Sequence, residues 1–268
     1  MLQAGLEMRI ASEYWKNAAI IAGNLSDLYL SIGDLPQALK IAQRSVELAD
    51  LSDDESQRMS RRTMLGDALH QVGRIEEATA AFCEAEQIQK QWKPEYPLLY
   101  SLWGFRYCNL LLGQGQVQEA KERAAHTLEL AKKYFGLLTK ALDNLSLGRA
   151  WLLEAKKAGT GDTTQAAEFL QRAVDGPRQA GIQEYIARGL LARAELHRVK
   201  GDYGRAERDL AEVLRIAARS GMGLHLADYH LESARLHLAQ GNQDKAREHW
   251  TTAKEMIERI GYTGATTK

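Results

Sequence analysis

The chain has 268 residues, and its 35 Lys and Arg balance 35 Asp and Glu, so the formal net charge is zero. That balance argues against a protein built to hold nucleic acid or an anionic membrane, where surplus positive charge supplies the attraction. Ala and Leu contribute 75 residues, Val, Ile and Thr only 30, and there are four Pro, a composition that favours helix nearly throughout. No apolar run reaches the roughly 18 residues of a bilayer span. The opening Met1-Leu2-Gln3-Ala4-Gly5-Leu6-Glu7 lacks the basic-then-apolar pattern of a secretory signal. Two cysteines, Cys83 and Cys108, are too few for a disulfide scaffold and fit a reducing cytoplasm, the expected location.

In chain order, residues 1–12 read as the tail of a truncated preceding helix, which would make the chain an excerpt of a longer polypeptide. A repeat domain over 13–262 follows. Its first predicted helix stops at Gly33-Asp34, and a second carries Ala38 and Ala42. After Asp53-Asp54-Glu55, whose acidic groups complement a helix start, comes a helix with Arg58, Arg61, Arg62 and Leu65-Gly66 that ends at Gly73-Arg74. Its partner bears Ala78, Phe82 and Ala85. The segment Trp92-Lys93-Pro94-Glu95-Tyr96-Pro97 has two prolines that stop one helix and start the next. Its alternative reading is an exposed contact patch of Trp92 and Tyr96.

A third pair turns at Gly115-Gln116 and a fifth and sixth at Gly201-Asp202 and Gly241-Asn242. A fourth, degenerate pair carries Leu147-Gly148 and Trp151, a lengthened turn from Lys157 to Thr164, then Ala166, Leu170 and Ala173. The last six residues, 263–268, are polar and read as a frayed tail.

The five turn glycines lie 40, 42, 86 and 40 residues apart, and 86 is two repeats of 43. Five residues after each stands alanine: Ala38, Ala78, Ala120, Ala206 and Ala246. Seven before each stands a small residue: Ser26, Gly66, Cys108, Ala194 and Ala234. Five before and nine after, the residues are apolar (Leu28, Ala68, Leu110, Leu196, Leu236; Ala42, Phe82, Ala124, Leu210, Trp250). Small residues at fixed phases let two helices approach closely while larger ones fill the gaps. About six helix–turn–helix units of about 40 residues are expected, an array in which each unit buries its apolar face against the next.

Leu65-Gly66-Asp67-Ala68-Leu69, Gly73, Ala78, Phe82 and Ala85 together resemble a tetratricopeptide repeat. The resemblance extends over nearly the whole chain and implies an all-α, right-handed superhelical solenoid of antiparallel helix pairs. This sequence departs from it in its longer period, in lacking most of the closing prolines, and in placing Arg193 and Ser233 where other units have Leu25, Leu65, Tyr107 and Leu147. The long, Ala- and Leu-rich units further resemble the sensor arrays of bacterial signal-transducing ATPases with numerous domains, and Ile257-Glu258-Arg259-Ile260-Gly261-Tyr262 looks like the closing helix of such arrays.

Catalytic chemistry is not legible. There is no Gly-x-x-x-x-Gly-Lys-Ser/Thr loop, and the glycines at 159–161 are followed by Asp-Thr-Thr without lysine. His225, His230 and His237, near His249, are spaced by five and seven, not the four of a metalloprotease helix, and His197 and His237, each four before a turn glycine, read as packing or semi-buried residues. Cys108 occupies the small-residue phase and Cys83 follows Phe82, so both read as helix residues. No catalytic residue, metal or cofactor is expected.

Six residues before each turn glycine, and at the matching place in the fourth unit, stand Asp27, Asp67, Asn109, Arg149, Glu195 and Arg235. One step on a helix is 100°, so this polar row should flank the packed seam without being buried in it. In the tetratricopeptide resemblance the row faces the groove, acidic at first and mostly basic beyond the third unit. The expectation is a non-enzymatic interaction module, a sensor or scaffold that takes a protein, a peptide or other domains of its own polypeptide on these residues. A small-ligand (inducer) receptor is the alternative, and an RNA-binding protein or enzyme subunit a weaker one. Membrane and nucleic acid are not expected partners.

Overall fold

The computed structural model describes residues 2–134, 136–159 and 161–262, which form thirteen α-helices and no strand. They divide into two compact units, one reaching to Leu99 and including Ile260, Gly261 and Tyr262, the other Tyr100–Arg259. The expected tail at 263–268 and Thr160 of the lengthened turn lie outside the described residues.

The first unit holds α1 (Leu2–Ala11), α2 (Trp15–Ile32), α3 (Leu35–Asp50), α4 (Glu55–Gln71) and α5 (Ile75–Trp92). α2 pairs with α3 and α4 with α5, while α2 also touches α4. Gly33 shows how one turn is made: at φ 89° its N–H closes on the carbonyls of Tyr29 and Leu30. Asp34 then caps α3 by accepting from the Gln37 backbone at 3.2 Å, with Pro36 in the first turn. Two residues thus end one helix and start the next.

The repeated phases are the crossing points of each pair. Ser26 Oγ donates to the Ala38 carbonyl at 2.9 Å, and Cys108 Sγ repeats the contact on Ala120 at 3.7 Å. The row seven before the glycine therefore meets the row five after it. Large residues enter where the opposite position lacks a side chain. A Cβ on Gly66 would stand 2.8 Å from the Phe82 ring, and one on Gly148 would stand 2.6 Å from Leu170. Trp250 occupies the same phase as Phe82 yet remains 55% exposed. Leu28 also departs from its otherwise buried row, at 46%.

The second unit contains α6 (Ser101–Gly113), α7 (Val117–Tyr134), α8 (Leu137–Ala158), α9 (Thr164–Ala180), α10 (Gln183–Val199), α11 (Tyr203–Ser220), α12 (Gly223–Ala239) and, as far as Arg259, α13 (Gln243–Ile260). Its core includes Leu142, Leu145, Leu152, Leu170 and Leu196, then Val174, Leu190 and Val213 farther along.

A second set of joints, between pairs, escaped the glycine pattern. Gly181 and Gly221 have φ of 71° and 63° ahead of α10 and α12, whereas Glu13 and Asp53 hold φ of 57° and 50° ahead of α2 and α4. The same left-handed joint recurs, but in the first unit it is filled by residues that tolerate it at a cost.

Candidate functional site: the first-helix face of the second unit

α6 touches α8, α8 touches α10 and α10 touches α12, so the first helices of successive pairs form one layer. Polar contacts run along it from pair to pair. Arg149 on α8 donates to the Asn109 side chain on α6. Lys156 pairs with Glu195 on α10 at 2.6 Å, Arg198 with Glu232 on α12 at 2.6 Å, and Arg235 with Glu232 at 3.4 Å. Four of the six predicted groove residues, Asn109, Arg149, Glu195 and Arg235, thus belong to this ladder. Their links pass through Lys156, Arg198 and Glu232, which the six-before-glycine row did not contain.

The polar row is not uniformly solvated as expected. Asp67 is 4% exposed and Asn109 8%, whereas Asp27, Arg149, Glu195 and Arg235 are half-buried. Asp67 and Asn109 tolerate burial because Gln71 Nε2 donates to the first at 3.0 Å and Arg149 to the second. Glu232 is also buried, which pushes its carboxyl above the usual range while Arg198 pulls it back. Asp27 and Asp67 lie in the first unit.

Above this ladder on the same helices sits a second charged group. Arg188 Nη2 bonds Glu184 Oε1 at 3.1 Å within α10, and its guanidinium lies 5.9 Å from the Phe105 ring centre. Phe105 meets Tyr185 edge-on at 6.3 Å. Burial raises the Glu184 carboxyl, but Arg188, His225 and Arg106 together hold it below the ordinary range. Arg106 and His225 are buried at 7% and 3%, yet Glu184 and Arg188 keep 31% and 25% of their side chains exposed. The Glu184 carboxyl is thus partly desolvated, partly open to water, and set among groups of positive or titratable charge. Only the Glu184–Arg188 spacing was visible in the sequence; Arg106 and His225 join from other helices.

Arg193, which breaks the apolar phase, is explained by its partners. It grips both carboxylate oxygens of Asp209 on α11 at 2.8 and 2.7 Å and reaches Gln171 on α9 at 2.9 Å. Asp209 is 6% exposed, so this is a buried fork between helices. Asp143 on α8 is buried at 2% and accepts from Thr127 Oγ1 at 2.8 Å; burial pushes its carboxyl up to about 7 despite that hydrogen bond.

Trp92 ends α5 and Tyr96 sits in the connection that follows. Trp92 is 38% exposed with Lys93 Nζ 4.2 Å over its ring, while Tyr96 is half-buried and its carbonyl accepts from Gln89. The prolines do separate α5 from α6.

Paired helices, a glycine turn and a small-to-large crossing have the form of a known repeat. Residues 17–91 match the tetratricopeptide repeat. The match spans α2 to α5, so two pairs carry it directly, and the later pairs repeat their geometry. Among solved structures, the chain is similar to the crystal structure of BtubC (BKLC) from P. vanneervenii, at 14% identity over 86% of this chain and 91% of that one, with a TM-score of 0.53. It is also similar to the crystal structure of PilW, a widely conserved type IV pilus biogenesis factor, at 18% identity over 91% and 94%, with a TM-score of 0.50. At these identities the likeness shows the fold alone. No curated protein matches the sequence. Tetratricopeptide repeats generally mediate protein–protein interaction. No helix among the described residues is long and apolar enough to cross a membrane.

Proposed function

We propose that the chain is a non-enzymatic interaction module that takes a protein or peptide on the first-helix face of its second unit. The observation that carries this reading is the ladder on that face. Arg149, Glu195 and Arg235 are half-buried, alternate in charge and are already held in place by neighbours on adjacent helices. Side chains ordered in advance lose less entropy when a partner of mixed charge docks. Within this reading the array is the sensor or scaffold of a larger bacterial signalling protein in the cytoplasm, supported by the resemblance of its long, Ala- and Leu-rich units to such sensor arrays.

Affinity capture from extract, with the retained protein then titrated against purified variants, tests the proposal. Arg149→Gln with Arg235→Gln should weaken binding of the retained protein while circular dichroism at the assay temperature still shows the folded helices, whereas Trp92→Ala should leave binding intact. Normal binding by the double variant would refute the face assigned here, and loss on Trp92→Ala would move the site to the α5–α6 connection.

The charged cluster of Arg106, Glu184, Arg188 and His225 favours a second reading, a receptor for a small charged ligand. A dialysable molecule that raises the melting temperature, and no longer does so in Arg188→Gln, would establish it in place of the first.

A further inference from the structure

Three histidines meet where α12 passes α13. His230 Nδ1 and His249 Nδ1 stand 2.9 Å apart, and the His237 ring stacks on His249 with centres 5.4 Å apart and planes at 27°. Tyr229 packs edge-on against both His230 and His249, at 4.9 and 5.8 Å. The sequence places these histidines near one another, but a spacing of seven on α12 and then a second helix does not predict that they touch.

The short Nδ1 contact admits only certain protonation states. One nitrogen must donate and the other accept, so at least one of the two rings is neutral. Adding the second proton removes the acceptor and puts two like charges at hydrogen-bond distance, with a third ring beside them. The surroundings give those charges little relief. Burial, then His249, lowers the pKa of His230, with Glu248 opposing; burial, then His237, lowers that of His249, with Glu248 opposing and Lys245 adding to the effect. From α11, Glu207 is engaged by Gln240, whose Oε1 meets His237 Nδ1 at 2.9 Å. α10 and α11 otherwise present Leu191, Ala194, Ala206, Leu210 and the Tyr203 ring to this part of α12, and Tyr203 spends its hydroxyl on the Ala239 carbonyl.

We propose that His230, His237 and His249 form a proton-operated latch between α12 and α13, closed above neutral pH and released by acid. No group of three His, Cys, Asp or Glu among the described residues is arranged to hold a metal ion, and stacked rings such as His237 and His249 do not point their nitrogens at one centre. The sign follows from the geometry. A histidine that is neutral when folded and protonated when unfolded contributes stability above the ordinary histidine pKa, and that stability is lost as pH falls through it. Release should be local, because the contact ties one helix to its neighbour and leaves the Arg193–Asp209 fork untouched.

Hydrogen exchange of the α13 backbone, corrected for the intrinsic effect of pH, tests the latch together with imidazole nitrogen NMR on the whole chain. Each pKa unit of depression corresponds to about a tenfold change in the opening equilibrium. Between pH 7.5 and 5 the α13 amides should open at least ~10-fold more while those of α8 do not, and both His230 and His249 should titrate below free histidine. His230→Asn with His249→Gln, which keeps a donor and an acceptor without the second charge, should remove the pH dependence; His249→Gln alone serves if the double variant is too unstable. Independent titration near the free value, or exchange that rises equally in α8, would overturn the proposal. So would stoichiometric Zn²⁺ binding at neutral pH that removes both imidazole titrations, since the cluster would then be a metal site.

Discussion

Asp143→Asn should reverse its effect on stability between pH 5 and pH 8. In the native chain the carboxyl is buried at 2% with one hydrogen bond, from Thr127 at 2.8 Å, and its pKa stands at about 7 against 3.8 for the free group. The folded state therefore binds more protons over that interval, and stability falls as pH rises from about 4 through 7, then levels off. Converting those two pKa values at 1.36 kcal/mol per unit gives a loss of roughly 2–3 kcal/mol from pH 5 to pH 8. Asparagine keeps the acceptor for Thr127 but places an amide where Asp143 Oδ2 meets no hydrogen-bond partner, a cost of about 1 kcal/mol or more. The variant should be less stable than the parent at pH 5 and more stable at pH 8. Urea unfolding followed by circular dichroism at both pH values measures it, and the histidines, common to both proteins, cancel in the difference. Two stability curves that stay parallel across this range would refute a buried carboxyl that titrates near neutrality.

Ala78→Leu should destabilise by about 1–3 kcal/mol in thermal melts, because the site is fully buried at the α4–α5 crossing and an added side chain must displace its neighbours. Arg193→Leu restores the apolar phase yet should cost about 3 kcal/mol or more by leaving the Asp209 carboxylate buried without its fork; adding Asp209→Leu should recover much of that loss in the same urea titration. Asp53→Gly should stabilise by about 0.5–1 kcal/mol, since it relieves a left-handed φ of 50° at an exposed joint. A melting temperature unchanged or lowered by that substitution would mean that the joint is not strained.

The candidate site was half legible. Asn109, Arg149, Glu195 and Arg235 were found because they share one phase, and the structure joins each of them to the ladder. Asp67 shares the phase and yet is buried, since its cover comes from Gln71 and the surrounding packing. Lys156, Arg198 and Glu232 were missed because they occupy other phases and matter only through partners on the next first helix. The left-handed joints between pairs were missed in both units, because Gly181 and Gly221 fill them in the second and Glu13 and Asp53 in the first, so no one residue type marks the phase.

The sequence by itself determined the helices and their pairing. A period near 40, glycine at each turn and small residues at the crossings are local and steric, and they repeat, so one copy can be read against another. What only the tertiary structure decided is which polar groups share a site. Arg106, Glu184, Arg188 and His225 come from three helices, and His230 meets His249 across two. Side-chain reach and burial set such contacts, and neither is periodic along the chain, so the pattern that reveals the helices carries no record of them.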